Sequence, residues 1–168
     1  MKTVYHYTCL AHLPRILEMG FLKTTESNVS IERENAGPKV VWLTTDAECK
    51  HGHGIGNNAT YAAGRAQGIQ VTPEMMEQWD KTRVRFTVRL PNNHVHKWVE
   101  WSQKFQMDAL WRKAFIKAAG GGTGTWRVVE HPILQDRWVE VIDRHTGENL
   151  WTPRGRRDIP SKILPISS

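Results

Sequence analysis

The stretch TVYHYTCLAHLPRILEMGFL, residues 3–22, decides the fold because the spacing of its apolar residues changes once along its length. Residues 3–7 alternate in the manner of a short strand. From residue 10 the apolar side chains follow the period of an amphipathic helix, at Leu10, Leu13, Ile16 and Leu17. Gly20 supplies a helix C-cap, since glycine readily adopts the left-handed conformation that ends many helices. The chain is therefore predicted to begin with a strand and a helix.

The apolar patterns after this opening place the strands mostly late in the chain. The patterns predict a helix that Thr72 caps and Pro73 begins, a second over Val95–Trp101, and a third over Asp108–Ala119 with Asp108 as its cap. The expected buried stripe of this third helix is Leu110, Trp111, Ala114, Phe115 and Ala118. They predict strands over Val40–Leu43, Arg83–Leu90, Trp126–Val129, Trp138–Asp143 and Asn149–Trp151. In the strand from Arg83, one face is apolar and the other cationic. Helices early and strands late favour an α+β fold over a parallel α/β sheet.

Composition excludes several classes of protein. We predict a single domain over residues 1–168, because two separate cores in a chain of this length would each bury little surface. With 39% hydrophobic and 24% charged residues, neither a disordered chain nor a fibrous repeat fits. No apolar stretch approaches the roughly 18 residues that span a bilayer. Two cysteines are too few for a disulfide framework. We therefore expect a cytoplasmic protein without membrane contact.

The charge balance bears on the partner. A net charge of +6 and a pI of about 9.5 favour contact with a polyanion, which could be nucleic acid, a phosphorylated cofactor or an acidic protein. A generally solvated basic surface is the alternative.

The first strand carries the first candidate for a functional site. Alternation places His6 and Thr8 on one face of the strand and Tyr5 and Tyr7 on the other. A polar pair on one face can direct hydrogen-bonding groups into a cleft. The structural alternative is a satisfied core histidine at His6 and a helix cap at Thr8. The residue types alone leave both interpretations open.

The order of the motifs adds information. Tyr5-His6-Tyr7-Thr8 followed by Leu-Pro-x-Ile-Leu-x-x-Gly-x-Leu at residues 13–22 resembles the opening of the ADP-ribosyltransferase superfamily, especially the DarT-type DNA ADP-ribosyltransferases. The resemblance implies two small antiparallel sheets packed with helices around an NAD cleft. It also implies that His6 and Thr8 hold the adenosine ribose and the nicotinamide amide of NAD, and that the backbone of Tyr7 recognises nicotinamide.

Two later stretches extend the resemblance. Residues 40–47, VVWLTTDA, are similar to the second strand of the family, which implies cofactor contacts at Trp42 and Thr44. Residues 58–62, NATYA, resemble the segment whose tyrosine stacks on nicotinamide, a role that falls to Tyr61. For Trp42, filling the core is an equally plausible role.

The chemistry of this family needs a carboxylate, which stabilises an oxocarbenium-like state when the nicotinamide–ribose bond breaks. Aligned by its late strand and proline, this sequence places Thr125 where the family has glutamate. Glu130 and Glu140 are the candidate substitutes. A neutral hydroxyl cannot supply the missing charge, so without a relocated carboxylate the chain would bind NAD and turn it over slowly or not at all.

Other motifs are weaker. Arg85 lies in the middle of a predicted core strand and is our candidate for a pyrophosphate or nucleic-acid phosphate. The run Cys49-Lys50-His51-Gly52-His53 lacks the second ligand pair of a zinc site, so we predict no metal. The resemblance thus predicts transfer of ADP-ribose from NAD to a macromolecule, with a nucleic-acid base or a protein as acceptor. The alternatives are a non-enzymatic nucleic-acid or protein binding module on the same fold, or an NAD glycohydrolase.

Overall fold

The computed structural model describes residues 1–25, 37–50, 64–151 and 153, and its architecture is mixed α and β. The helices are α1 (Leu13–Met19), α2 (Pro73–Trp79), α3 (Trp98–Lys104) and α4 (Ala109–Ala118). The strands are β1 (Lys2–Thr8), β2 (Phe21–Leu22), β3 (Val41–Thr44), β4 (Val84–Leu90), β5 (His96–Lys97), β6 (Trp126–Val129), β7 (Ile133–Leu134), β8 (Trp138–Asp143) and β9 (Asn149–Trp151). The α+β prediction is confirmed.

The opening of the chain folds as its sequence predicts. Strand β1 leads through a short 3-10 turn at Leu10–His12 into α1. This helix ends at Gly20, whose φ of 71° lies in the left-handed region and whose N–H bonds to the Ile16 carbonyl at 3.0 Å. Glycine avoids the steric cost that a side chain would have there. The predicted helix caps at Thr72 and Asp108 are also confirmed, since each side chain accepts a backbone N–H of the first turn.

Seven strands form one antiparallel sheet in the order β5-β6-β3-β1-β4-β8-β9, and β2 pairs with β7 in a separate ribbon. The expectation of two small sheets is therefore corrected. The two halves of the large sheet meet between β1 and β3, which pair at Tyr5 and Thr44 alone among the described residues. By contrast, β1 pairs with β4 along its whole length, from Lys2 opposite Leu90 to Thr8 opposite Val84. The sheet is thus weakly joined at its centre.

Each face of the sheet carries an apolar core. One core packs the inward residues of β1, β4 and β8 against α1, with Val4, Phe86, Val141, Leu13 and Leu17 almost fully buried. The other core lies over β3 and β6 and is rich in aromatic residues from α3, α4 and the strands, namely Trp98, Trp101, Trp126, Trp42 and Phe115. On the face of β1, β4 and β8 that lies opposite the first core, the side chains are mostly polar and belong to neither core.

Two predictions of local structure are wrong. The expected helix over Val95–Trp101 begins only at Trp98, because His96 and Lys97 pair with β6 at the sheet edge. Leu110 and Ala114 were expected in the buried stripe of the next helix, yet Leu110 is 80% exposed and Ala114 is exposed as well. Among the described residues, no helix is both long and apolar enough to cross a membrane.

Candidate functional site

A side-chain hydrogen bond joins β1 to β3 at the centre of the sheet. His6 Nδ1 lies 2.9 Å from the Trp42 carbonyl oxygen, and since a carbonyl can only accept, Nδ1 carries the proton. Burial lowers the pKa of His6, so the ring is neutral near pH 7. Among the described residues this is the one hydrogen bond of the ring, which leaves Nε2 available as an acceptor. His6 is thus held in one tautomer.

Thr8 and His12 lie beside His6. Thr8 Oγ1 is 3.4 Å from His12 Nδ1, and the His12 ring meets the Trp79 ring edge to face at 5.5 Å between centroids. Burial lowers the pKa of His12, and the positive charges of Lys81 and Lys23 lower it further. The His12 ring is therefore neutral near pH 7 and contacts both Thr8 and Trp79.

Tyr7 and Thr44 organise the turn that follows β3. The Tyr7 hydroxyl donates to the Asp46 carbonyl at 2.8 Å, and the Arg144 guanidinium lies 5.3 Å from the centre of its ring. Burial raises the pKa of Tyr7, so the hydroxyl keeps its proton. Thr44 Oγ1 accepts the Asp46 N–H at 3.0 Å. Strand alternation points both side chains to the sheet face opposite His6.

Arg85 and Glu140 form an ion pair on that same opposite face. Arg85 Nη2 lies 3.1 Å from Glu140 Oε1, and Arg85 Nη1 donates to the Ala47 carbonyl at 2.9 Å. The Thr87 hydroxyl donates to the same carboxylate oxygen at 3.0 Å. Tyr5, Thr87 and Glu140 share one row across the sheet. Glu140 and Arg85 are thus engaged with each other and do not lie beside His6.

The cationic face predicted for β4 is largely neutralised by such pairs. Arg83 holds Asp143 through Nε and Nη2 at 3.0 and 2.9 Å, and the Asp143 side chain is 6% exposed. Burial, the largest single effect, raises the pKa of Asp143, but the hydrogen bond and charge of Arg83 together with the backbone N–H groups of His145 and Thr146 outweigh it, so the pKa is lowered. Arg85 is also paired, so these two arginines of the cationic face are engaged with carboxylates of β8.

Glu130 lies at the end of β6, away from the His6 junction. Its Oε1 accepts the Trp101 Nε1–H at 2.7 Å. It borders an open depression of about 320 Å³ whose other lining residues are Asn93, His94, His96 and His131. Burial lowers the pKa of His131, and the nearby His94 adds to this effect. The structure places the two candidate carboxylates, Glu130 and Glu140, on different parts of the sheet.

The remaining candidates divide between backbone and core. Trp42 offers its carbonyl to His6, while its indole packs against Trp98, Phe115 and Trp126 with ring centroids about 6 Å away. Tyr61, proposed to stack on nicotinamide, lies outside the described residues.

The sequence offered a run of possible metal ligands from Cys49 to His53. His51 and His53 lie outside the described residues. In the described part of the chain, no group of three or more His, Cys, Asp or Glu side chains is arranged to hold a metal ion.

Sequence reasoning missed His12, whose ring lies beside Thr8, and also Lys23 and Lys81, whose charges lower the pKa of His12. The single local signal is the spacing of four residues between Thr8 and His12. The lysines follow α2 and β2, and nothing in their own sequence context marks them.

Comparison of the chain with protein-family models, with curated proteins and with solved structures finds no match. Function must therefore be argued from the geometry around His6.

Proposed function

We propose that this chain is an ADP-ribosyltransferase-like protein that binds NAD at the junction of β1 and β3 and transfers ADP-ribose to a macromolecule. A nucleic-acid base is the acceptor that the net charge of +6 favours. The observation that carries the proposal is His6, a neutral imidazole whose Nδ1–H is fixed on the Trp42 carbonyl and whose Nε2 remains available. Such a nitrogen can accept a hydrogen bond from a ribose hydroxyl.

The neighbours of His6 suit the same ligand. Thr8 lies on the same face of β1 and offers a hydroxyl, which both donates and accepts hydrogen bonds. His6 also meets the Phe86 ring edge to face at 6.2 Å, so its ring is supported by the core on one side. A ligand group at Nε2 would meet a ring whose orientation is already set, which lowers the entropic cost of binding.

In the proposed reaction the bond between ribose C1′ and the nicotinamide nitrogen breaks, and nicotinamide leaves with the electron pair. A nucleophile of the acceptor then bonds to C1′ and loses its proton to solvent. A carboxylate near C1′ would stabilise the developing positive charge. Glu140 is engaged by Arg85 and Thr87, and Glu130 is engaged by Trp101. We therefore expect NAD binding together with slow turnover.

The engagement of both glutamates favours a second candidate function, a binding module that holds NAD or a polyanion without cleaving NAD. One experiment separates the candidates. The protein is incubated with NAD carrying a labelled adenylate, and free nicotinamide and labelled DNA, RNA or protein are measured. Labelled polymer indicates transfer, nicotinamide without labelled polymer indicates NAD hydrolysis, and the absence of both indicates the binding module.

The binding step has its own test. His6→Gln should weaken NAD binding about tenfold, because an oriented acceptor in a half-buried site is lost. His94→Gln is the matched control, since His94 is exposed in the turn before β5, at the edge of the sheet beyond β6, where its ring contacts that of His131. Equal NAD affinity of the His6 variant and the wild type in calorimetry would contradict the proposal.

A further inference from the structure

Arg127 of β6 is a buried cation that is held by carbonyl groups. The residue is 9% exposed, and its Nη1 donates to the carbonyls of Gly124 and Trp126, each at 2.8 Å. Its Nε is buried and has no hydrogen-bond partner among the described residues. No carboxylate of the described residues forms an ion pair with the guanidinium. Buried charges in proteins are normally paired with an opposite charge, so within the described part of the chain Arg127 lacks the partner that its burial calls for.

A second cation lies directly opposite Arg127 in the sheet. Lys97, on the edge strand β5, is its register partner. Opposed residues of an antiparallel pair point to the same face with their Cβ atoms about 5 Å apart, and like charges in that position are destabilising. Glu100 pairs with Lys97 at 2.7 Å and is 66% exposed. This carboxylate balances one of the two positive charges and leaves the other in excess.

Arg127 and His6 point to the same face of the sheet. Tyr5 lies opposite Thr44, and Thr44 lies opposite Trp126, so these three side chains share one face. His6 follows Tyr5 and Arg127 follows Trp126, and because neighbours along a strand face opposite ways, both point to the other face. Their backbones are two strand spacings apart, which is about 10 Å. One nucleotide is long enough to contact both side chains.

The guanidinium of Arg127 also has room for a ligand. Its contact with the Gly124 carbonyl places it against the loop that precedes β6. A side-chain carbon at Gly124 would meet no other atom within 4 Å, so the space beside this loop is open. Nη2 makes no hydrogen bond with the described residues and, unlike Nε, is not sealed in the interior. Its two N–H groups are therefore available to an acceptor.

We propose that Arg127 and Lys97 form a site for a phosphate group, which the ligand at His6 supplies. This inference rests on the proposed NAD site and names the residues at its phosphate end. Guanidinium N–H groups match phosphate oxygens in both geometry and charge. A nucleic-acid backbone suits the site less well, because it presents a line of phosphates to exposed cations, whereas Arg127 is a single recessed one.

Calorimetry at low salt with ADP, adenosine, inorganic diphosphate and a short single-stranded oligonucleotide tests the site. ADP is expected to bind more tightly than adenosine. Arg127→Gln should weaken ADP binding about tenfold, the contribution of a hydrogen bond between charged groups, and leave adenosine binding unchanged. Arg89→Gln is the matched control, because Arg89 is an exposed arginine on the opposite face of β4 from Phe86, the register partner of His6.

Lys97→Gln tests the same charge without risk to the fold, since Lys97 is exposed. It should weaken ADP binding about two- to fivefold, the range of exposed charge pairs, and it decides alone should Arg127→Gln fail to fold. Unchanged ADP affinity in the folded variants would overturn the site, as would equal affinity of the wild type for ADP and adenosine. Arg127-dependent binding of the oligonucleotide without binding of ADP would also overturn it and would indicate a nucleic-acid surface.

The phosphate site and the proposed function fail in different ways. If ADP and inorganic diphosphate bind equally and both depend on Arg127, while NAD yields neither nicotinamide nor labelled polymer, the NAD function is wrong and the phosphate site stands with a free phosphate as its ligand. If nicotinamide is released and NAD affinity depends on His6 but not on Arg127, the phosphate site is wrong and the function stands.

Discussion

Glu140→Gln is expected to destabilise the fold and to leave NAD binding intact. The carboxylate is held by Arg85 at 3.1 Å and by Thr87 at 3.0 Å, on the face of the sheet opposite His6. The substitution keeps an oxygen that accepts both hydrogen bonds but removes the negative charge. Its effect therefore measures the charge of Glu140 apart from its shape.

The magnitude follows from the contacts. A hydrogen bond between charged groups contributes about 1.5–3 kcal/mol, and a neutral one contributes about 1 kcal/mol. The Glu140 side chain is 37% exposed and that of Arg85 15%, so solvent screens part of the difference. We expect Glu140→Gln to lower the free energy of unfolding by about 1 kcal/mol. Glu140→Ala should cost about 3 kcal/mol, because the Arg85 guanidinium and the Thr87 hydroxyl would lose an acceptor.

Urea unfolding of both variants, with Glu148→Gln as control, measures these values. Glu148 is exposed in the neighbouring turn, so its variant should stay within about 0.5 kcal/mol of the wild type. NAD affinity and nicotinamide release are measured on the same samples. The structural role of Glu140 is refuted if Glu140→Gln abolishes nicotinamide release while both NAD affinity and stability remain those of the wild type.

The remaining predictions concern buried charge, pH and thiol reactivity. Asp143→Asn should lower the free energy of unfolding, measured with urea, by about 3 kcal/mol, because the buried Arg83 charge would lose its carboxylate partner at 2.9 Å. A loss of stability no larger than that of a surface substitution would contradict this. Because the pKa values of His6 and His12 lie below that of an unfolded histidine, near 6.5, the unfolded chain binds more protons. Stability should therefore fall as the pH drops below about 6.5, less steeply in His6→Gln, and a flat profile down to pH 5 would count against neutral rings. Burial raises the pKa of Cys49 to about 11, so the folded protein should react slowly with thiol reagents at pH 8, and labelling at the rate of the unfolded chain would disprove it.

The elements that the sequence predicted well are those specified by local periodicity. Strand β4 shows this clearly, because its alternate residues Val84, Phe86 and Val88 are all fully buried. The end of α1 at Gly20 was equally predictable, since a single residue supplies the left-handed conformation. Such features depend on neighbours in sequence, which a single chain displays directly.

Features that depend on distant partners could not be predicted. The sequence of a ten-residue helix is compatible with more than one choice of buried residues. In α4, Trp111, Phe115 and Ile116 pack against the core, whereas Leu110 is exposed. Likewise the partner of Arg85 is Glu140, which lies 55 residues farther along the chain. The sequence indicated that Arg85 needed a partner or an open cleft, and only the pairing of β4 with β8 decides between these outcomes.

The register of that pairing also decides the question of the carboxylate. Thr87 lies opposite Glu140, and Phe86, the partner of His6 on β4, lies opposite Val141. Because alternate residues of a strand face opposite sides, a shift of one residue in β8 would carry Glu140 to the face of His6. That shift would also remove Val141 from the core, where it is fully buried, and would leave Arg85 without its ion pair. Packing and charge therefore both hold the register that keeps Glu140 away from the proposed NAD site, and an active enzyme would need its carboxylate from another residue or from the acceptor.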